Sequence, residues 1–162
     1  MRASSFGLLS LLSLCGACRA TEPLPDVRDL QSIDLPAAVQ VSASVNPDST
    51  STPAVWLTFT NTGSIADTIH YGACSFAAQL RSLDGVAGPV VWDSRPTPEL
   101  VCDLVGYDLV LSGHGSRTVL AARLAAVSVY VPAPPTGSFN ANALLNVRGH
   151  ALVVPAGTVE LP

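Results

Sequence analysis

Lysine is missing from this sequence: all eight basic residues are arginine, against twelve aspartates and glutamates. At a formal charge of −4 the chain has no clustered cations with which to neutralise phosphates, which excludes nucleic acid as a partner class. Charged residues amount to only 12%, about half the share of an average soluble domain, so Ser, Thr, Asn and Gly must supply the polarity of the surface. No apolar run reaches the roughly 18 residues that a spanning helix needs. P-loop, dinucleotide-binding, EF-hand and G-x-S-x-G patterns are all missing, so no cofactor and no catalytic residue set is expected, and the chain reads as a non-enzyme.

What the chain does have begins with an address. Met1-Arg2 offers one positive charge, Phe6 to Leu14 is an apolar core, and Cys15-Gly16-Ala17-Cys18 closes it with small residues. This reads as a signal peptide over residues 1–17, too short for a stable anchor. Gly16-Ala17 before Cys18 resembles a bacterial lipobox, with Cys15 standing where that motif usually has Leu. Cys18 is therefore the expected lipid attachment site; ordinary secretion is the alternative. Acyl chains gain about 0.8 kcal/mol per buried CH₂, so several on one cysteine hold a protein at a membrane without a spanning segment. The expected location is the bacterial cell envelope. Residues 18–38 carry the lipobox cysteine and then three Pro and mixed charges without a period, which suits a flexible tether.

Residues 39–162 read as one domain built of short strands. Val39, Val41, Ala43 and Val45 alternate with Gln40, Ser42 and Ser44. The stretch Ala54–Gly63 (AVWLTFTNTG) sets Val55, Leu57 and Phe59 on one face and Trp56, Thr58 and Thr60 on the other, with Asn61-Thr62-Gly63 as a closing turn that uses the tolerance of Asn and Gly for positive φ. Further strands are expected at Thr68–Tyr71, Phe76–Leu80, Pro89–Asp93 as an edge, Leu104–Leu111, both ends of Arg117–Val131, Leu144–Val147, Ala151–Val154 and Val159–Leu161. Gly72 reads as a bulge or corner. Leu83-Asp84-Gly85, Ser112-Gly-His-Gly-Ser116 and Pro155-Ala-Gly-Thr158 read as turns. Strands spaced about every 8 to 12 residues, with turn chemistry between them, predict an all-β fold, an immunoglobulin-like antiparallel β-sandwich of about 7 to 9 strands.

Several of these features occur in a shared order. Asn61-Thr62-Gly63 after an alternating strand, Phe76, Val91-Trp92-Asp93, the turn Leu111-Ser112-Gly113 with Ser116, and Pro155-Ala156-Gly157-Thr158 before a last strand together resemble the intracellular proteinase inhibitor (BsuPI-type) domain family. The resemblance covers roughly residues 39–161. It implies a small immunoglobulin-like sandwich and a proteinase-inhibitor role, in which a proline-stiffened loop, Arg95-Pro-Thr-Pro98 or Pro132–Gly137, would occupy a protease cleft. No inhibitory residue set of that family maps onto this chain.

Cys74 and Cys102 are the cysteines of the domain, and in an exported chain they are expected to form a disulfide. Closing a loop of about 29 residues would stabilise the fold by about 3 to 4 kcal/mol in the chain-entropy model. Free buried thiols are the second reading, and metal or redox use the third, with His70 as the one hint of another ligand; CxxC and HxxxH spacings are missing within the domain. Asp93 and Asp103 invite a paired-carboxylate reading, for which solvated loop acids are the plainer account. Trp56 either packs into a second layer or stands in an aromatic patch, and packing is the expectation. The leading functional reading is a lipid-anchored, non-enzymatic binding module whose partner is a protein or another envelope component. A protease inhibitor is the alternative, and an envelope enzyme or metal protein ranks third.

Overall fold

Alternation decides most of the elements. The computed structural model describes residues 30–83, 88–95, 105–125 and 131–162, and among them the chain forms strands and no helix. The strands are β1 (Ser32–Ile33), β2 (Val39–Pro47), β3 (Pro53–Asn61), β4 (Asp67–Gly72), β5 (Phe76–Arg81), β6 (Val90–Asp93), β7 (Gly106–Leu111), β8 (Ser116–Arg123), β9 (Gly137–Val147) and β10 (His150–Leu161). The all-β expectation holds, and the strand number is ten among the described residues, above the expected range. β1 adds to it, because the segment before Val39 joins the fold.

The central strand is β3, antiparallel to β2 on one side and β8 on the other. Val55, Leu57 and Phe59 are fully buried, and each such side chain contributes about 1.5 to 3 kcal/mol on leaving water. On the opposite face the hydroxyls of Thr58 and Thr60 meet those of Thr118 and Ser116 across the β3/β8 pair at 2.9 and 2.8 Å. Trp56 shares this face, half-buried, and its Nε1 donates to the Asn46 carbonyl at 3.1 Å. Its polar end is thus tied to its own sheet.

The β3/β8 pair does not stop at the sheet end. β3 leads into β4 and β7 into β8, and β4 pairs antiparallel with β7, so one two-stranded ribbon turns a corner between Asn61 and Asp67 on one strand and Leu111 and Ser116 on the other. Asn61 is the pin of that corner. It is the last residue of β3, only 1% exposed, and its Nδ2 donates to the carbonyls of Ile65 (2.7 Å) and Ser112 (3.3 Å) while its Oδ1 accepts from Gly63 N (2.9 Å). The expected positive-φ turn at Asn61-Thr62-Gly63 is therefore replaced by a side-chain bridge, and none of the three residues has positive φ. The facing turn does use a left-handed residue, exposed His114 at φ 56°, with Gly115 N donating to Ser112 O at 2.9 Å.

The largest sheet runs β1-β9-β5-β6, with β10 on the other side of β9. β9 and β10 form a long hairpin across the two-residue turn Arg148-Gly149, both at positive φ, as primed hairpin turns require. Three expectations change here. The short strands expected at 144–147 and 151–154 are parts of this longer ladder. Pro155-Ala-Gly-Thr158 is a β-bulge inside β10 rather than a turn, since pairing with β9 continues on both sides of it. Residues 30–38, read as the end of the tether, pack into the domain: Leu30 and Ile33 are each 2% exposed, and β1 pairs parallel with the end of β9. β6 stands at the sheet edge, as expected. In Arg117–Val131 the first half is β8, and residues 126–130 lie outside the described residues.

All the sheets share one core. Val55, Leu57 and Phe59 from the β3 sheet, Ile69, Leu109 and Leu111 from the β4/β7 pair, and Ala78, Leu80, Phe139, Ala143 and Leu145 from the β9 sheet belong to a single cluster of buried residues. Residues 1–17, read above as a signal peptide, Cys18, the expected tether to residue 29, Asp84-Gly85, Pro96–Pro98, Cys102, Asp103 and Leu104 lie outside the described residues.

Candidate functional site

The strand β9 has two faces with different tasks. Phe139, Ala141, Ala143 and Leu145 point into the main core, so Asn140, Asn142, Leu144 and Asn146 face the other way. β5 alternates in step, giving Ala77, Gln79 and Arg81 on that same outer face. Register then builds cross-strand rows. Val153, Leu144 and Ala77 form one row; Pro155, Asn142, Gln79 and Asp93 the next; Thr158, Asn140 and Arg81 the third.

The apolar end of this face is covered. Leu30 packs with Ala77 and Leu144 in a second small core, supported by Ala151 and Val153, and Asn146 Nδ2 holds the Leu30 carbonyl at 2.9 Å. Among the described residues the polar end is open. There Arg81, Gly88, Asn140, Asn142, Pro155, Gly157 and Thr158 line a groove of about 470 Å³, within the size range of small-ligand sites.

Within the groove the amides of Asn140 and Asn142 are half-buried and have no hydrogen-bond partner among the described residues. Each carries two N–H donors and a carbonyl acceptor. The neighbouring polar groups are engaged. Arg81 Nη1 donates to the Gly88 carbonyl at 3.2 Å. Asp93 accepts from Gln79 Nε2 at 2.7 Å and takes a two-pronged contact from Arg95, with Nη2 to Oδ2 at 2.7 Å and Nε to Oδ1 at 3.1 Å. Gln79 is 2% exposed and its Oε1 is buried without a partner, a polar cost of about 1 to 3 kcal/mol that the fold carries in this row. Opposite Asn142, the bulge at Pro155–Gly157 has Gly157 at φ 106°, and no atom lies within 4 Å of where its Cβ would stand. That opening keeps the groove wall low.

The residues singled out from the sequence fall elsewhere. Cys74 is buried in the turn between β4 and β5 and is not a free thiol, while Cys102 lies outside the described residues. His70 is exposed on the outer side of the β4/β7 ribbon, its Nδ1 2.6 Å from Asp108 Oδ1. It does not converge with the buried Cys74, and no group of three metal-ligating side chains occurs among the described residues. Asp93, read as one of a carboxylate pair, is matched by Arg95, and Asp103 lies outside the described residues. Of the two loops with an inhibitor reading, residues 132–137 are described and almost wholly exposed, and Trp92 Nε1 ties their start down by donating to the Pro132 carbonyl at 2.8 Å. Pro96–Pro98 lies outside the described residues.

The groove residues were missed by motif reasoning, although a signal existed. Asn is depleted in strands, yet it recurs at 140, 142 and 146 in alternation with core residues.

No family model matches the chain, and no curated protein matches it. Among solved structures, the chain is similar to part of DesR, a β-glucosidase from Streptomyces venezuelae solved in complex with D-glucose, at 15% identity and a TM-score of 0.34. The match covers 73% of this chain and 15% of that enzyme, so the chain spans a small part of its length. At that score the likeness carries no argument about fold or chemistry.

Proposed function

We propose that the chain is an exported, lipid-anchored binding module of the bacterial cell envelope, with an immunoglobulin-like β-sandwich that takes its ligand in the groove over the β9 sheet. The observation that carries the binding part is the groove of about 470 Å³ over β9, into which Asn140 and Asn142 present half-buried amides without a hydrogen-bond partner among the described residues. The anchoring part is supported by the signal-like residues 1–17 and by Cys18 after Gly16-Ala17. The Cys74–Cys102 disulfide belongs to the same reading, as an exported domain would use it. The partner is a protein or another envelope component, and no cofactor enters.

Two measurements test this. Mass spectrometry of the mature N-terminus is expected to find diacylated Cys18; an unmodified Cys18 or a start further downstream refutes the anchor. Capture from envelope extract by the native domain is expected to enrich a component that the Asn140→Ala/Asn142→Ala variant does not retain. Equal enrichment by both proteins refutes the groove.

A second reading, proteinase inhibition as in BsuPI-type domains, is favoured by one feature. Residues 132–137 form an exposed, proline-stiffened segment fixed at its start by Trp92, which lowers the ordering cost of entering a cleft. Failure to inhibit a panel of subtilisin-like and other serine proteases removes it.

A further inference from the structure

We infer that the outer face of the β2-β3-β8 sheet is a second binding site, for a neutral glycan stacked on Trp56. The inference does not rest on the groove over β9, which belongs to another sheet.

Three observations lead to it. First, the indole is held as a platform. Trp56 stands half-buried on the outer face of β3, and its Nε1 donates to the Asn46 carbonyl at 3.1 Å, so the ring reaches toward β2 across the row of Ala54. Ala54 is fully buried yet belongs to neither core cluster, as a small residue beneath a flat ring does. Trp56 is in neither cluster itself, and its ring stacks on no other aromatic ring among the described residues. A ring fixed before the ligand arrives offers apolar area at a low ordering cost.

Second, the ladder is interrupted at this position. Trp56 pairs with Leu120 and Val55 with Ala122, so β8 carries an extra residue, Ala121, in a bulge beside Trp56. Bulges of this kind re-aim the side chains next to them.

Third, the face around the indole is neutral and rich in hydroxyls. Register sets Ser44, Trp56 and Leu120 in one row, and the two rows beyond it, through Thr58 and Thr60, hold hydroxyls and one amide with no charged side chain. Arg123, one row away on the other side of Trp56, is paired with Asp48. The Thr58–Thr118 and Thr60–Ser116 hydroxyls bond to each other at 2.9 and 2.8 Å, which fixes their positions. Each such pair uses one of its two hydrogens internally and keeps a donor and acceptor lone pairs for a ligand.

A sugar ring has an apolar C–H face and a rim of hydroxyls that donate and accept. The indole meets the face and the hydroxyl rows meet the rim. An anionic polymer or a charged peptide finds no counter-charge in these rows.

The test titrates hexasaccharides of β-linked glucose and of β-linked N-acetylglucosamine into the mature chain, with binding read by calorimetry and tryptophan fluorescence. Trp92 is 5% exposed and its Nε1 is held by the Pro132 carbonyl, so a change in emission reports on Trp56. At least one glycan is expected to bind. Trp56→Ala is expected to weaken that binding about tenfold or more, and Trp56→Phe, which keeps a smaller ring, by less. The Thr58→Val/Thr118→Val variant removes both partners of one hydroxyl pair at nearly constant shape, so the fold persists, and affinity is expected to fall about threefold to tenfold. Binding of neither glycan, or binding that Trp56→Ala and the double Val variant leave unchanged, overturns the inference. A glycan that Trp56→Ala retains and Asn140→Ala/Asn142→Ala loses overturns it in favour of the groove, whereas failure of the groove to bind anything leaves the Trp56 measurements to decide this site alone.

Discussion

Replacing Asn61 with alanine tests the corner that joins the β3/β8 and β4/β7 ribbons. The side chain makes three hydrogen bonds, to Ile65 O, Ser112 O and Gly63 N, all to backbone groups of the two loops that form the bend. A net hydrogen bond contributes about 1 kcal/mol, and an orphaned buried partner costs more. Ile65 and Ser112 are exposed, so water reaches their carbonyls and the larger penalty does not apply there. The loss is therefore about 2 to 3 kcal/mol. At roughly 3 to 4 °C per kcal/mol for a domain of this size, the melting temperature falls by about 6 to 12 °C. Asn61→Asp is predicted to be worse at neutral pH. It keeps the acceptor for Gly63 N but turns a carboxylate oxygen toward two carbonyls in a site 1% exposed. Burial beside two carbonyl oxygens raises the carboxyl of Asn61→Asp above its unfolded value, and protonation restores one donor, so its deficit shrinks as pH falls toward the usual carboxylate range, while that of Asn61→Ala does not change. Far-UV circular dichroism with thermal and urea unfolding reads both. A loss under about 0.5 kcal/mol for Asn61→Ala, the size of an ordinary surface substitution, refutes the pinning role.

Three other substitutions probe the same fold. Gly113→Ala places a Cβ 2.1 Å from the Ser64 carbonyl oxygen, a backbone atom that cannot rotate away, and is expected to cost about 2 to 3 kcal/mol by urea unfolding; a neutral result would show that the corner yields. Asp48 sits in the β2–β3 loop, where the Thr50 hydroxyl (2.6 Å), then Arg123 Nε (2.5 Å), hold its carboxyl well below the usual carboxylate range. Since the folded value lies below the unfolded one, its contribution is complete above about pH 4 and is lost as pH falls further. Asp48→Asn should therefore be less stable than wild type at neutral pH and converge with it in acid; a constant difference across that range refutes the account. Leu30→Ala is expected to cost about 2 to 5 kcal/mol, because Leu30 is buried on Leu144 and Ala77, whereas a residue of a loose tether would show no change in unfolding midpoint.

What the sequence revealed and what it hid differ by range. The alternation in Ala54–Gly63 needs only its own residues, and β3 follows it to within a position. The fate of Asn61 in the same stretch depends on Ser112, a partner 51 residues away, so local turn chemistry could not find it. Pro155-Ala-Gly-Thr158 has the composition of a turn, and it becomes a bulge because β9 extends far enough to pair beyond it. Leu30 and Ile33 stand three apart among prolines and charges, a pattern with no strand period; their burial comes from the outer face of β5 and β9 and from the main core. The asparagines of β9 were visible as residues, but a groove needs the register that sets Arg81 and Thr158 beside Asn140.

The division of β9 into a core face and a polar face has a consequence for how the site could evolve. Phe139, Ala141, Ala143 and Leu145 fix the strand through the main core, and ladders on both sides, to β10 and β5, hold its position. The outward side chains of Asn140 and Asn142 inherit that rigidity without adding to it, since neither has a hydrogen-bond partner among the described residues. Where the same outward face was left apolar, at Leu144 and Ala77, the chain before β1 had to cover it with Leu30. A polar residue at position 144 would make that cover unnecessary, and an apolar residue at 142 would demand more of it. Among the described residues, the boundary between the covered and the open half of this face is therefore set by one step along β9, from Leu144 to Asn142.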